Sequence, residues 1–263
     1  MQIGFVQFAP KLGSPSDSMR RIEALLPRCE GVDLVVLPEL AHSGYSFITR
    51  EQAWELSEEI GTGAFVDFLI SQCRKYRFHL VAGVNERERD KLFNTAVLVS
   101  PEGFIGKYRK IHLFWDEPDI FQPGNSGLPV FDLGFCRIGM LICLDWIFPE
   151  VWRILALQGA DLIAHPSNLV LPYCQQAVPV HALINRVYVV TANRVGSEGD
   201  ITFTGGSIIA DPKGAVLCRA DQRGEEVGIA EMNVSLARDK MMTPRNHLLK
   251  DRRPQEYSLL TQE

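Results

Sequence analysis

Several sequence features that mark common kinds of functional site are missing from this chain. The six cysteines form no Cys-x-x-Cys pair and the six histidines form no His-Glu-x-x-His pair, so we expect neither a metal nor another cofactor. No glycine-rich loop has the spacing and the Lys-Ser/Thr ending that cradle phosphate. Lysines and arginines form no basic stripe, and the formal charge is -5, so we expect no binding to nucleic acid.

Sequence signals for a membrane or for export are also missing. No apolar run approaches the roughly 20 residues that a membrane-spanning helix needs. The first residues have no basic segment followed by a small-residue cleavage site. We therefore expect a cytoplasmic protein that does not associate with a membrane, with its scattered cysteines present as reduced thiols.

The composition is that of an ordinary globular protein, and its patterning predicts an α/β fold. Apolar residues make up 46% of the 263 residues and charged residues 22%, enough to build a sizeable core. Residues 3–9 and 33–37 are apolar strand patterns, and residues 17–29 between them have helical spacing. A second strand, helix and strand follow between residues 131 and 164, which predicts a parallel βαβ unit.

Three side chains that could do chemistry each follow an apolar strand pattern. Taken singly, Glu39 is best interpreted as a solvated loop carboxylate and Cys143 as a small buried hydrophobe. Lys110 lies in a basic run that is usually an exposed edge, but its apolar neighbours would require it to find a carboxylate. The ends of strands are nevertheless where α/β proteins commonly place functional groups. If the three strand ends point the same way, the three side chains converge.

The sequence around these three residues resembles the nitrilase superfamily of carbon-nitrogen hydrolases. The matching blocks are Leu37-Pro38-Glu39-Leu40, Tyr108-Arg109-Lys110-Ile111-His112-Leu113 and Gly139 to Cys143 followed by Asp145, and supporting matches include Asn94, His165 to Asn168 and Asn193-Arg194. The blocks are in family order and cover about residues 2 to 235. The resemblance implies a four-layer αββα sandwich. It also implies one domain over residues 1–236, a tail over residues 237–263 that packs on a partner subunit, and a homodimer or a larger homo-oligomer.

The resemblance further implies a Glu-Lys-Cys triad. Cys143 would be the nucleophile and Glu39 the general base and acid, and Lys110 and the Leu144 backbone N-H would form the oxyanion hole. Many members carry a second glutamate in the next loop, a role that falls on Glu117 here, although Asp116 and Asp119 are close enough to leave the alignment open. Further residues occupy segments that line the substrate site in this family, or could equally be rim packing: Tyr45, Trp115, Asn168 and Tyr173.

The residues after the nucleophile bear on which bond is cut. Members that act on nitriles usually have Cys-Trp-Glu, and amide hydrolases more often have an aromatic residue followed by Asp. The order Cys143-Leu144-Asp145 follows the amidases at the acid, so we expect a small amide to be the substrate. A nitrile and an N-carbamoyl amine are the alternatives. N-acyl transfer to a lipoprotein would need membrane helices, and a binding module would be expected to lack a triad member.

Overall fold

The computed structural model describes residues 1–262. In chain order the strands are β1 (Gln2–Gln7), β2 (Leu34–Val36), β3 (His79–Glu88), β4 (Lys91–Ser100), β5 (Gly103–Arg109), β6 (Val130–Asp132), β7 (Arg137–Met140), β8 (Leu162–Ser167), β9 (Tyr188–Asn193), β10 (Ser197–Glu198), β11 (Ile201–Thr202), β12 (Ile208–Ala210), β13 (Val216–Arg219), β14 (Glu226–Glu231), β15 (Met241–Thr243) and β16 (Asn246–His247). The α-helices are α1 (Pro15–Leu25), α2 (Arg50–Glu55), α3 (Ala64–Tyr76), α4 (Glu117–Ile120), α5 (Pro149–Leu157), α6 (Cys174–Asn185) and α7 (Val234–Arg238). Short 3₁₀ helices span Leu26–Cys29, Cys143–Ile147, Pro254–Glu256 and Ser258–Thr261.

Two six-stranded sheets carry the fold. Their strand orders are β14-β1-β2-β3-β4-β5 and β13-β12-β9-β8-β7-β6. The strands β1, β2 and β3 are parallel neighbours in one sheet, and β7, β8 and β9 are parallel neighbours in the other. All other neighbours within these two sheets are antiparallel. The chain segments that leave β2, β7 and β8 at their carboxyl ends carry most of the candidate site.

Alternating side chains assign the two faces of each sheet. On β1, Ile3 and Phe5 belong to the core between the sheets, whereas Val6 belongs to a second core under the helices α1 and α3. The helices α5 and α6 cover the outer face of the other sheet with residues such as Trp152 and Val178. The layers therefore run helix, sheet, sheet, helix, which confirms the αββα sandwich.

Element ends differ from the sequence-based expectations where local chemistry intervenes. The helix expected over residues 17–29 becomes a 3₁₀ turn after Leu25, because Pro27 lacks the N-H that would continue the α-helix. The strand before Cys143 ends at Met140, so Leu141 and Ile142 lie between the end of the strand and the start of the 3₁₀ helix. None of the described helices is both long and apolar enough to cross a bilayer.

The start of the expected tail packs on its own chain. Helix α7 continues across residue 236, and Ala237 is fully buried. Arg238 forms an ion pair with the buried Asp161 at 3.0 Å. Lys240 donates to the carbonyl oxygens of Asn185 and Arg186 at the end of α6. These contacts attach the beginning of the tail to the outer helical layer.

Candidate active site

Three loops at the candidate site contain a residue in the left-handed backbone region. Leu40, Trp115 and Cys143 have φ angles of 47°, 51° and 41°. Within residues 1–262, the other non-glycine residues with positive φ are Arg77 and Arg186, which cap helices, and Arg89, in the β3–β4 turn. Such conformations are strained and persist where the surrounding structure enforces them, often at functional sites. The strain away from ordinary caps and turns is thus concentrated in the loops that carry the three sequence blocks.

Glu39 is fully buried just beyond β2. Its Oε1 accepts hydrogen bonds from Asn94 Nδ2 at 2.7 Å and from Lys110 Nζ at 2.8 Å, while its Oε2 has no hydrogen-bond partner. Gly83 lets this loop lie directly on β3, because a Cβ there would sit 2.4 Å from the Glu39 Cα. The solvated-loop interpretation of Glu39 was therefore wrong, since partners distant in sequence enclose it.

Lys110 is fully buried at the end of β5 and bridges two carboxylates. Its Nζ donates to Glu39 Oε1 at 2.8 Å and to Glu117 Oε1 at 2.6 Å. Burial opposes the charged form, but the charges of Glu117 and Glu39 outweigh it and raise the pKa of Lys110 above its usual value. Lys110 is therefore an ammonium ion at neutral pH, and it is not part of an exposed basic edge.

Glu117 begins α4 and is almost completely buried. Its Oε1 also accepts from the Tyr45 hydroxyl at 2.9 Å, and its Oε2 has no partner. Burial and the nearby Glu39 raise the pKa of Glu117 despite the opposing effect of Lys110. Two carboxyl groups thus share one cation, which favours retention of a proton in the group.

Cys143 starts the 3₁₀ helix that follows β7, and its side chain is buried beside this group. Burial and the charge of Glu39 raise the pKa of the Cys143 thiol well above its ordinary value, while Lys110 and a hydrogen bond from the Asn168 backbone N-H act in the opposite direction. The resting side chain is therefore a thiol. An attack by this sulfur therefore needs a base that removes the proton. Leu144, the next residue, presents a backbone N-H from the first turn of the 3₁₀ helix.

Asp145 connects the turn that carries Cys143 to the segment that carries Lys110. One of its carboxylate oxygens accepts from the Tyr108 hydroxyl and from the Ile142 backbone N-H, each at 2.8 Å. The other oxygen pairs with Nδ1 of His112 at 2.8 Å, and the His112 ring stacks on Phe148 with centroids 3.7 Å apart. Asp145 is fully buried, so these contacts fix the position of Lys110 relative to Cys143. Sequence analysis used Asp145 only to weigh amides against nitriles and missed this role.

His165, near the end of β8, fixes the strained Cys143 backbone. Its Nε2 lies 2.9 Å from the Cys143 carbonyl oxygen, and its Nδ1 lies 3.0 Å from the Thr191 hydroxyl. A carbonyl oxygen can only accept, so Nε2 carries the proton and Nδ1 accepts from Thr191. Burial lowers the pKa of His165 to about 4, which keeps the ring neutral at ordinary pH.

A pocket of about 730 Å³ opens beside Glu117, and two of the four expected substrate-site residues, Tyr45 and Trp115, line it. Asn168 is buried next to Cys143, with no hydrogen-bond partner for either atom of its side-chain amide. Tyr173 is 56% exposed just before α6 and is not among the residues that line the pocket. The structure therefore brings Tyr45, Trp115 and Asn168 to the site but leaves Tyr173 away from the pocket.

The loop that carries Tyr45 is held by residues for which sequence analysis found no role. The Glu198 carboxylate accepts from the backbone N-H groups of Tyr45 and Ser46 at 2.9 and 2.8 Å and from Arg194 at 2.7 Å. Arg194 was noted only as part of a family match, and nothing in the local sequence pairs Glu198 with a loop 150 residues earlier. The ion pair indirectly sets where the Tyr45 hydroxyl meets Glu117.

Comparison with known proteins agrees with this geometry. The Carbon-nitrogen hydrolase family model matches residues 2–240. This chain belongs to the carbon-nitrogen hydrolase family. It is 48% identical to a nitrilase of Pyrococcus abyssi over 259 residues, which are 98% of this chain and 99% of the relative. It is also 34% identical to an (R)-stereoselective amidase of a Pseudomonas species over 96% of this chain and 92% of that protein.

Solved structures place this carbon-nitrogen hydrolase in the nitrilase superfamily fold. A carbon-nitrogen hydrolase from Helicobacter pylori G27 superimposes with a TM-score of 0.89 at 26% identity, covering 100% of this chain and 98% of the other. Family membership makes the protein a hydrolase of carbon-nitrogen bonds other than peptide bonds. The buried group at Glu39, Lys110 and Cys143 is the candidate location of that activity.

Proposed function

We propose that the protein is a thiol amidase that converts a small amide into a carboxylic acid and ammonia. The observation that supports this most strongly is the Lys110 ammonium bridging Glu39 and Glu117 beside the Cys143 thiol. This group offers a nucleophile, a proton acceptor and a fixed positive charge in a water-poor site. Acyl transfer from an amide requires each of these.

In the first half-reaction, the Cys143 sulfur adds to the amide carbon while Glu39 takes the thiol proton. The carbonyl oxygen becomes an oxyanion that accepts hydrogen bonds from Lys110 and the Leu144 backbone N-H. Each such donor is worth about 3 kcal/mol in enzymes where one has been removed. When this intermediate collapses, the carbon-nitrogen bond breaks and Glu39 returns the proton to the nitrogen. Ammonia is released, and the acyl group remains on Cys143 as a thioester.

In the second half-reaction, water attacks the thioester carbon while Glu39 takes its proton. The carbon-sulfur bond then breaks, the acid is released and the proton returns to the Cys143 sulfur. Glu117, which contacts both Lys110 and Tyr45, would orient the lysine and the substrate amide. The unpartnered Oε2 atoms of Glu39 and Glu117 are available to accept from the substrate amide or from water.

Nitrile hydrolysis is the second candidate, because the relative that is 48% identical is a nitrilase. The same sulfur would add to the nitrile carbon, and water addition followed by loss of ammonia would give the same thioester. Asp145 favours the amide by the family pattern, and an N-carbamoyl amine is a third possible substrate class. All three need the Cys143 thiol and release ammonia, and they differ in the carbon that the sulfur attacks: the carbonyl carbon of an amide, the carbon of a nitrile or the carbon of a carbamoyl group.

The test is ammonia release from short amides, N-carbamoyl amines and matched nitriles, with the intact protein and Cys143→Ala. We expect the amides to react fastest and the variant to release no ammonia. Faster release from each nitrile than from the corresponding amide would replace the amidase by a nitrilase. Equal release by the two proteins would contradict the thiol mechanism.

We also propose that the outer face of α5, with the part of the tail that follows Lys240, packs on a second copy of the chain. Ile154 and Leu157 on α5 and Ile184 on α6 are each more than a third exposed, and Leu260 of the tail is 66% exposed. Such an apolar face is typical of a surface covered by a partner. Light scattering at micromolar concentration should give at least twice 29.5 kDa, and a mass of 29.5 kDa would contradict the proposal.

A further inference from the structure

We infer that the pocket beside Glu117 receives an apolar acyl group without a negative charge, so that the enzyme discriminates against carboxylate-bearing amides. This inference rests on the proposed function, because it assumes that the acyl part of the substrate occupies this pocket. The pocket is the open space next to the Tyr45–Glu117 hydrogen bond. It also contains Val170 and Leu171, which follow Asn168, the residue whose backbone N-H contacts the Cys143 sulfur.

The walls of the pocket are mainly hydrocarbon. Nine of its fourteen lining residues are apolar or aromatic: Tyr45, Phe47, Phe114, Trp115, Ile120, Phe121, Val170, Leu171 and Ile201. Trp115 is 78% exposed, which leaves a large aromatic surface available to a ligand. Burying a methylene against such walls should raise kcat/KM roughly fourfold. The pocket therefore favours acyl chains of several carbons over acetamide.

The charges that line the pocket are all negative. Asp116 and Asp200 are exposed at its rim, Glu117 lies at its inner end, and no lysine, arginine or histidine is among its lining residues. Two buried cations of the site are already paired, since Lys110 bridges two carboxylates and Arg194 is buried against Glu198. A carboxylate on the substrate would lose water in this pocket without gaining a counter-ion. An uncharged chain has no such penalty.

The first experiment compares amides of equal chain length. Hexanamide, 6-aminohexanamide and the monoamide of adipic acid each have six carbons, and the sixth carbon is a methyl group, a methylene that carries an ammonium group or a carboxylate carbon. We expect kcat/KM for hexanamide to exceed that for the adipic monoamide by at least about tenfold, with 6-aminohexanamide above the adipic monoamide. Equal values for the neutral and carboxylate substrates, or a preference for the carboxylate, would overturn the inference.

The second experiment changes the charge at the rim. In Asp200→Lys, the ratio of kcat/KM for the adipic monoamide to that for hexanamide should rise several-fold, because a cation now faces the carboxylate. The ratio is taken within one protein, so a partly folded variant does not distort it. Glu102→Gln, which alters an exposed acid in the β4–β5 turn, is the matched control and should leave the ratio unchanged. An unchanged ratio in Asp200→Lys would overturn the role of the rim charges.

The outcomes separate this inference from the proposed function. If amides are inert and nitriles react, the amidase proposal fails, while hexanenitrile against 5-cyanopentanoate still measures the acyl preference. If neither reacts, protection of Cys143 from iodoacetamide by hexanamide and by the adipic monoamide gives the binding order without turnover. Rapid hydrolysis of the adipic monoamide would instead support the amidase proposal and contradict the inferred acyl preference.

Discussion

Arg109 and Lys110 are consecutive residues, and each belongs to a different buried cluster of charged side chains. The two clusters differ in how completely their charged groups find hydrogen-bonding partners. In the first, Glu86 is almost fully buried and accepts from Arg109 Nε and a terminal guanidinium nitrogen at 2.9 and 2.6 Å, from Thr95 at 2.6 Å and from Lys107. Burial opposes its ionisation, but these hydrogen bonds lower the pKa of Glu86 below its usual value. Both oxygens of this carboxylate are satisfied.

The Lys110 cluster has one cation for two carboxyl groups, and one oxygen of each carboxyl group is buried without a partner. Here the effect of burial is not outweighed by the neighbouring cation, and the pKa of Glu117 is raised. A saturated cluster holds strands together but has nothing left to offer a substrate. The difference supports the proposal that the incompletely paired cluster is the one that carries the chemistry.

Glu39→Gln should cause the largest loss of activity. Glutamine keeps the shape but cannot take the Cys143 proton, so we expect turnover to fall by about 10³-fold. Urea unfolding should show no loss of stability, because the cluster has two carboxyl groups for one lysine and the change removes one of the two negative charges. Turnover within tenfold of the intact protein would show that another residue is the base.

Glu86→Gln should show the reverse behaviour. Leaving Arg109 without its buried charge partner should lower the free energy of unfolding by about 3 kcal/mol. Turnover per folded molecule should stay within about threefold. The matched control is Glu88→Gln, since Glu88 pairs with the same arginine at 2.8 Å but is 51% exposed, and it should cost far less stability. A large loss of turnover in Glu86→Gln at unchanged stability would break the contrast between the clusters.

Glu117→Gln should reduce turnover by about 10²-fold and leave the fold intact, because Lys110 would lose one of the two charges that hold it. Asp119→Asn, two residues later on the same short helix and exposed, should be nearly silent. Steady-state ammonia release and urea titration of both variants make the comparison. Similar losses in the two variants would assign the effect to the loop in general.

Asp145→Asn should have a smaller effect on turnover, about tenfold, because it displaces Lys110 relative to Cys143 without removing either. An amide is uncharged, so the hydrogen bonds from Tyr108 and the Ile142 N-H lose their charge assistance, and His112 is held only in the tautomer whose Nδ1 accepts. The kcat should fall more than KM rises, and Tyr108→Phe should reproduce part of the loss. A loss of stability with unchanged kcat would make Asp145 purely structural.

The four layers could be predicted because the sequence blocks resemble those of a known family, and the same blocks mark Glu39, Lys110 and Cys143 as the candidate site. The apolar alternation of β1 and the block around Lys110 are both local. The burial of Glu39 could not be predicted from its own surroundings, since it depends on Asn94 and Lys110, far along the chain. The contact between Glu198 and the Tyr45 loop could not be predicted either, because the two segments are far apart in the sequence.

Strained backbone was equally invisible in the sequence. Leu40, Trp115 and Cys143 are not residue types that favour positive φ, so no turn signal marks them. Tyr173 was named because its segment resembles one that lines the substrate site in the family, with rim packing as the alternative. The exposed start of α6 carries Tyr173 away from the pocket.

If the protein is a thiol amidase, the Cys143 thiol of the incompletely paired cluster forms a thioester with the substrate. The direct measurement is mass spectrometry of the protein quenched in acid during turnover of a good amide, with peptide mapping of the adduct. We expect an added mass equal to the substrate minus ammonia, located on Cys143 and missing in Cys143→Ala. An adduct on another side chain, or undiminished turnover by Cys143→Ala, would contradict it.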